Sequence, residues 1–359
     1  MKILTITCHR PHNYGAVLQT FALNHYLRAS GYDARVIDYT SKSHGGISDK
    51  YKNNPFAKII RSILLFPDKL KGKNNFGKFL NNFVKLTEKP YFSYQELLND
   101  PPVADVYITG SDQVWNCEIP TGNDDAYFLS FALPNSKKIS YAASMALETL
   151  SEEQKKRYFK LLKDFHSISV RETSSINILK SIGLNGVTSV LDPVFLLDKQ
   201  EWADLAETTN YKERYVLVYG FNRQKNVFDF AKKIAKQKKM KVYSVNTRWL
   251  DILNCTDRYF WSVSPNEFIS LIKNAEIVIT NSFHGISFSI IFEKEFYAFT
   301  KGKTGNSRMK DLLKSLNLDS RLTEYGFNSL MEPIDYKAVE TILSKQKDQA
   351  KEFIKNNLV

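Results

Sequence analysis

A chain of 359 residues, 43% hydrophobic and 13% aromatic, has the composition of a globular protein and exceeds what one hydrophobic core usually supports, so two domains are expected. Cys8, Cys117 and Cys255 lie far apart with no CxxC pair, which argues against a disulfide framework or a cysteine zinc site and leaves them as buried small hydrophobes. The formal charge of +12 favours an anionic partner; with no RNA-recognition, zinc-finger or helix-turn-helix signature, nucleic acid ranks behind a phosphate-bearing substrate and an anionic membrane face.

The opening MKILTIT is too short an apolar run for a secretory leader and suits a first buried strand, so the chain is expected in the cytoplasm. No run is long and apolar enough to span a bilayer. Strand patterns follow at Arg35–Tyr39, Val106–Thr109, Lys138–Ala142 and Ser167–Val170, with helical patterns at Ala16–Ala29 and Ser151–Phe165. An apolar run is then broken by Asp192-Pro193 within LDPVFLLDK, residues Leu191 to Lys199, and the alternation starts again. The second set has strands at Tyr215–Tyr219, Lys241–Val245, Glu276–Thr280 and Glu295–Phe299, separated by helices at Asn226–Lys238, Pro265–Asn274 and Ile286–Phe292. Such alternation predicts an α/β protein of two Rossmann-like domains with mostly parallel sheets. The expected division is 1–195, 196–335, and a charged amphipathic helix over 336–359 packing across the junction.

Residues 42–90 depart from the alternation. Lys42 to Lys89 holds eleven Lys or Arg against Asp49, Asp68 and Glu88. One helical face carries Phe56, Ile59, Ile60, Ile63 and Leu64, and a second stripe carries Phe76, Phe79, Leu80 and Phe83. This is either a basic helical insertion packed on the first sheet or a peripheral contact with an anionic membrane.

Polar residues gather after the strands, where helix N-termini offer free N–H groups. After the first strand come Arg10, His12, Asn13, Tyr14 and Gly15, suited to an anion or sugar hydroxyls; Gly15 serves equally well for close packing. Cys8, His9 and His12 match no standard metal spacing. After the third strand, Asp112 either handles a hydroxyl proton or caps a turn, Gln113 follows it, and Trp115 either stacks on a sugar or sits in the core. Arg171 stands at the end of SISVRE, where its planar fork suits a carboxylate or phosphate or makes a structural salt bridge. Asn281, Ser282 and His284 end the Glu276–Thr280 strand; His284 either moves protons near neutral pH or caps the helix. The loop KGKTGNSRMKDLL offers Lys301, Lys303 and Arg308 as an anion clamp or a solvated loop. No Walker motif, GxGxxG after a strand, or GxSxG elbow is present, so a nucleotide cofactor is unsupported and no cofactor or metal is expected.

The ordered set NYGAVLQTFAL, VIDY, YITGSDQVWN, SYAAS, SVRE, LDPVFLL, NSFHG and NSRMKDLL resembles the polysaccharide pyruvyl transferases over nearly the whole chain, from about Lys2 to Arg321. The resemblance implies a GT-B-like arrangement with the active site in the interdomain cleft. It implies phosphoenolpyruvate as donor and a lipid-linked or free oligosaccharide as acceptor. The product would be a cyclic pyruvate ketal, with phosphate released. It also implies His284 as the general acid and Arg171 as a donor-binding arginine. Relatives carry an arginine two residues before that histidine, where this chain has Ser282, and Arg308 is the expected substitute. A GT-B glycosyltransferase with a nucleotide-sugar donor, and a catalytically silent glycan- or lipid-binding protein, are the competing expectations.

Overall fold

Strands that lack a polar face must be covered by helices on both sides, and the central strands here lack one. Val106–Thr109 (VYIT), Tyr215–Tyr219 (YVLVY) and Ile277–Thr280 (IVIT) are buried at every position. The computed structural model describes residues 1–10, 12–41, 55–209, 211–221, 224–254, 256–300, 306–324, 326–327 and 329–358, the side chains of 55–64 and 253–254 excepted.

The first half contains β1 (Lys2–Ile6), β2 (Asp33–Val36), β3 (Val106–Thr109), β4 (Lys137–Ala143), β5 (Ser167–Val170) and β6 (Thr188–Ser189). They form one parallel sheet in the order β2-β1-β3-β4-β5-β6. The second half contains β7 (Tyr215–Tyr219), β8 (Lys241–Asn246), β9 (Arg258–Trp261), β10 (Ile277–Thr280), β11 (Glu295–Phe299) and β12 (Leu322–Thr323). These are also parallel, in the order β9-β8-β7-β10-β11-β12. The winding reverses between β1 and β3 in the first sheet and between β7 and β10 in the second. Successive helices leave on opposite faces at such a point, opening a crevice at the carboxyl ends of the strands. The segments that follow β1, β3 and β10 therefore border crevices.

The helices of the first half are α1 (Tyr14–Ala29), α2 (Pro55–Phe83), α3 (Tyr94–Asn99), α4 (Glu152–Leu162) and α5 (Thr173–Ser181). Those of the second are α6 (Lys199–Leu205), α7 (Lys225–Lys238), α8 (Pro265–Asn274), α9 (Phe283–Ile291) and α10 (Ser307–Ser315), followed by α11 (Tyr336–Leu358). One hydrophobic cluster spans the halves, joining Tyr14, Val17, Leu18 and Phe21 of α1 to Phe268 and Ile272 of α8 and to Phe283 and Ile286 of α9. The rings of Tyr14 and Phe268 stack 4.2 Å apart at an interplanar angle of 5°. In α11, Val339 and Leu343 join this cluster, whereas Ala350, Ile354 and Leu358 pack with Ile3, Leu23 and Val106 of the first half.

The second apolar stripe of the insertion is covered: Phe76, Phe79 and Leu80 of α2 are buried beside α1. The same helix also grips the second half. Asn75 donates to Ser262 O at 2.7 Å, and Asp68 Oδ1 accepts from Trp249 N and Trp261 Nε1, each at 2.8 Å. The first stripe, Phe56 to Leu64, lies outside the described side chains. Among the described residues no helix is long and apolar enough to cross a membrane.

Candidate active site

β10 ends at Thr280, whose Oγ1 accepts the Ser282 N–H at 3.0 Å and turns the chain into α9. Helix α9 starts at Phe283, earlier than the sequence pattern predicts, and carries His284 in its first turn. The imidazole faces the first half. A Cβ on Gly15 would lie 2.0 Å from His284 Nδ1, so only glycine lets α1 approach this ring. On its other side His284 Nε2 lies 3.7 Å from Asp192 Oδ2, an ion-pair distance too long for a hydrogen bond. The residue is 6% exposed and sits in the seam between the halves.

Asp192 precedes a 3-10 turn, Pro193–Phe195, and caps it through the Val194 N–H at 3.1 Å. Its Oδ2 accepts from Arg171 at 2.6 Å and from Ser111 Oγ at 2.9 Å. Burial would raise this carboxyl, but His284 and Arg171 beside it outweigh burial and hold it well below the usual carboxylate range. Asp192 is thus a buried anion shared by a cation of the first half and the imidazole of the second. Arg171 itself stacks over Phe283, its guanidinium carbon 4.6 Å from the ring centre.

Arg308 enters from the first turn of α10 and is 3.9 Å from Asp112 Oδ1, the same distance as Arg171 from that atom. Burial first, and then Arg171, push its guanidinium down to about 10, so it remains cationic at neutral pH. The Gln113 amide, turned so that its oxygen faces the guanidinium, accepts from Arg308 at 2.6 Å. Asp112 has φ +81°, a conformation costing a non-glycine residue roughly 1–3 kcal/mol, and its backbone bridges to Ala143 of β4. Thr173, which opens α5, donates from both N and Oγ1 to Asp311 of α10 at 2.8 Å, tying the two arginine-bearing segments together.

Several buried polar atoms of this seam have no hydrogen-bond partner: Arg171 Nε and NH2, Arg308 Nε, His284 Nε2 and Asn281 Oδ1. Buried orphans are costly singly and uncommon together, so the group is suited to receive hydrogen-bonding partners from a bound molecule. All but Asn281 Oδ1 are nitrogens able to donate, which suits an anion.

Two cavities flank the seam. One, of about 210 Å³, is lined by Arg171, Asp192, Phe283, Arg308 and Asp311 among others. The other, of about 470 Å³, is lined by His9, Arg10, Asn13, Tyr39, Asp112, Gln113 and Thr121, with further residues of the first half. Asn13 caps α1, its Oδ1 accepting from Ala16 N at 3.3 Å, and also faces this second cavity.

The structure corrects two expected contacts. Trp115 cannot stack on a sugar: it is fully buried, donates Nε1 to Tyr127 O at 3.0 Å and lies against Phe128. Tyr14 is 1% exposed and directs its hydroxyl to Val263 O, so it belongs to the packing between halves. Gly15 is brought to the site as the surface on which His284 rests. Asn281 is buried with its Oδ1 unpartnered, and Ser282 is half-buried at the α9 N-terminus without a side-chain capping bond. Lys301 and Lys303 lie outside the described residues.

The sequence reading missed Asp192 and Ser111. Asp192 stood in LDPVFLL as a chain breaker; only the buried charge beside Arg171 marks it as part of the site. Ser111 stands in the sequence only as one residue of YITGSDQVWN, next to Asp112.

Three comparisons bear on this arrangement. No curated protein matches the sequence. Among solved structures the fold is similar to UDP-GlcNAc 2-epimerase of Methanocaldococcus jannaschii, crystallised with UDP-GlcNAc and UDP: 14% identity, 99% of this chain and 100% of that one covered, TM-score 0.55. It is similar too to the UDP-N-acetylglucosamine 2-epimerase of Rickettsia bellii (10% identity, 100% and 96% covered, TM-score 0.52) and to the UDP-GlcNAc 2-epimerase of Neisseria meningitidis bound to UDP-GlcNAc (11% identity, 100% and 99% covered, TM-score 0.51). At such identities the likeness is one of fold, two Rossmann-like halves of the GT-B type. The sequence itself matches the family described as polysaccharide pyruvyl transferase over residues 13–301. The chain therefore belongs to the polysaccharide pyruvyl transferase family.

Proposed function

We propose that the protein transfers the enolpyruvyl group of phosphoenolpyruvate to a sugar of a polysaccharide precursor and closes a cyclic pyruvate ketal, releasing phosphate. The observation that carries this reading is the set of unpartnered, donor-capable nitrogens of Arg171, Arg308 and His284 at one seam. Phosphoenolpyruvate has two anionic ends, a carboxylate and a phosphate, and two guanidinium forks are the matching receptors. Arg308 supplies the second cation, in place of an arginine at Ser282.

His284 gives its proton to the methylene carbon of the donor as an acceptor hydroxyl attacks the neighbouring carbon. The ionised Asp192, 3.7 Å away, is the counter-charge for the imidazolium. Asp112, on the wall of the larger cavity, takes the hydroxyl proton. The carbon–phosphate oxygen bond then breaks, and a second hydroxyl of the same sugar closes the ring. Two hydroxyl protons are lost; one balances the methyl group and the other leaves on hydrogen phosphate. The acceptor sugar occupies the 470 Å³ cavity, where hydroxyl and amide groups line the wall.

With the His284 ring nearly enclosed, the halves must part to admit the donor, and closing over it excludes water from the protonation step. The test is incubation with phosphoenolpyruvate and a panel of free and lipid-linked oligosaccharides. A ketal-sized mass gain with equimolar phosphate is expected. Stabilisation by phosphoenolpyruvate should accompany it. A melting shift with nucleotide-sugars alone, and no phosphate release from phosphoenolpyruvate, would replace this reading with glycosyl transfer.

A further inference from the structure

A third cavity, of about 320 Å³, is lined by His12, Leu65, Asp68, Lys69, Thr247 and Arg248. It brings together the β1–α1 loop, the insertion helix α2 and the end of β8. Among the described residues the only carboxylate in its wall, Asp68, is turned to the Trp249 and Trp261 N–H groups. Lys69 and Arg248 have no carboxylate partner among the described residues, so the cavity presents net positive charge. Gly72 lets α2 close on this site: a Cβ there would lie 2.3 Å from His12 Nδ1. His12 is three residues from Gly15, the residue that touches His284, so about 10 Å of chain at most links the cavity to the seam.

The outer face of α2 beside this cavity is unusual. Phe66 is 63% and Leu70 52% exposed, one helical turn apart, with exposed Lys69 and Lys73 among them. The opposite face is fully engaged, through Asp68, Asn75, Phe76 and Phe79. From the second half, the 3-10 helix Trp249–Asn254, which starts at the Asp68 bond, adds Ile252, 57% exposed. Greasy tips set in lysines, beside a cationic recess, complement one surface in particular: apolar chains below a layer of phosphate headgroups.

We propose that this face docks the protein on an anionic bilayer, with Phe66, Leu70 and Ile252 entering the interface and a lipid phosphate seated between Lys69 and Arg248. The docking does not rest on the pyruvyl-transfer reading.

The test is co-sedimentation of the full chain with vesicles of phosphatidylcholine alone and with phosphatidylglycerol added. Binding is expected only to the second, weakening as salt rises. The double variant Phe66→Ser/Leu70→Ser should lose roughly 100-fold in partitioning, and Lys69→Glu/Arg248→Glu about tenfold or more. Phe66→Ser/Leu70→Ser should keep wild-type turnover of phosphoenolpyruvate with a soluble sugar acceptor. Wild-type-like vesicle binding by both variants overturns the proposal. So does binding of inorganic phosphate at Lys69 and Arg248 with no vesicle binding at all, which would assign the recess to a free anion. Equal binding of a single-stranded oligonucleotide, lost with the charges and indifferent to Phe66 and Leu70, would also overturn it. A protein that turns over phosphoenolpyruvate yet ignores vesicles refutes the docking alone. One that binds vesicles and never consumes phosphoenolpyruvate refutes the donor reading alone.

Discussion

The smaller cavity beside Arg171 and Arg308 and the larger one around Asn13 and Tyr39 meet the same seam with opposite kinds of wall. In the first, cationic nitrogens outnumber what the protein can satisfy: Asp192 takes one arm of Arg171, Thr173 takes Asp311, and Arg171 Nε, Arg171 NH2 and Arg308 Nε remain. In the second, the charges cancel locally, because Arg10 and His9 both converge on Asp38. What remains there is hydroxyl, amide and aromatic surface, with Asp112 between the two spaces. The difference teaches that one fold can set a cationic wall beside a charge-balanced one by deciding which cations its carboxylates pair with. Changing residues that serve one wall and not the other should separate whatever depends on each.

The largest effect is expected at His284, which belongs to neither wall but closes the seam between them. His284→Ala should lower kcat by roughly 10²–10⁴-fold, with the affinity for phosphoenolpyruvate changed far less, read in a phosphate-release assay. Unaltered kcat would remove the imidazole from the chemistry. Next comes Gly15→Ala. A methyl group 2.0 Å from Nδ1 forces the ring to turn, and a displacement on that scale costs about 10²-fold in kcat. The thermal unfolding midpoint should fall as well, because Cγ would lie only 2.4 Å from the methyl and the buried residue or α1 must shift to make room. A variant with wild-type kcat would show that the orientation of His284 does not matter.

These two residues also show what could be read without coordinates. The strand and helix pattern was legible because the central strands are apolar at every position and their helices amphipathic; Val106–Thr109, Ser167–Val170, Tyr215–Tyr219 and Glu295–Phe299 have the expected bounds. β6 and β12 were missed because two residues leave no periodicity, and β9 because the edge sequence RYFW alternates weakly. Strand ends pointed to His284, Arg171 and Asp112, since parallel sheets place function there. Sequence could not show that Trp115 and Tyr14 face inward, as an aromatic after a strand suits a sugar or a core equally. Nor could it pair Asp192 with His284, a contact between residues 92 positions apart that exists only once the halves close.

Arg308→Ala tests the cationic wall directly. Removing one charge-assisted contact of about 1.5–3 kcal/mol should raise the KM for phosphoenolpyruvate roughly 10- to 100-fold, leaving the acceptor KM near its original value. Unchanged donor affinity and turnover would exclude Arg308 as the replacement for the arginine absent at Ser282, and the two cavities would then differ by Arg171 alone.

The smallest effect, and the sharpest for the other wall, is expected from Asp38→Asn. Burial alone would raise the Asp38 carboxyl, but His9 and Arg10 outweigh it and hold it at about 2. A depressed carboxyl contributes stability that is fully present above the ordinary carboxylate value of about 3.9 and is lost as pH falls through the folded value. Wild-type protein should therefore lose roughly 1–2 kcal/mol between about pH 4 and pH 2 on this account, a loss the asparagine variant has already taken at neutral pH and does not repeat. Freed from Asp38, Arg10 and His9 would disturb only the larger cavity. The acceptor KM should rise severalfold at neutral pH while the KM for phosphoenolpyruvate stays put. If the donor KM moved instead, the walls would not be independent, and the assignment of sugar to one cavity and anion to the other would have to be reversed.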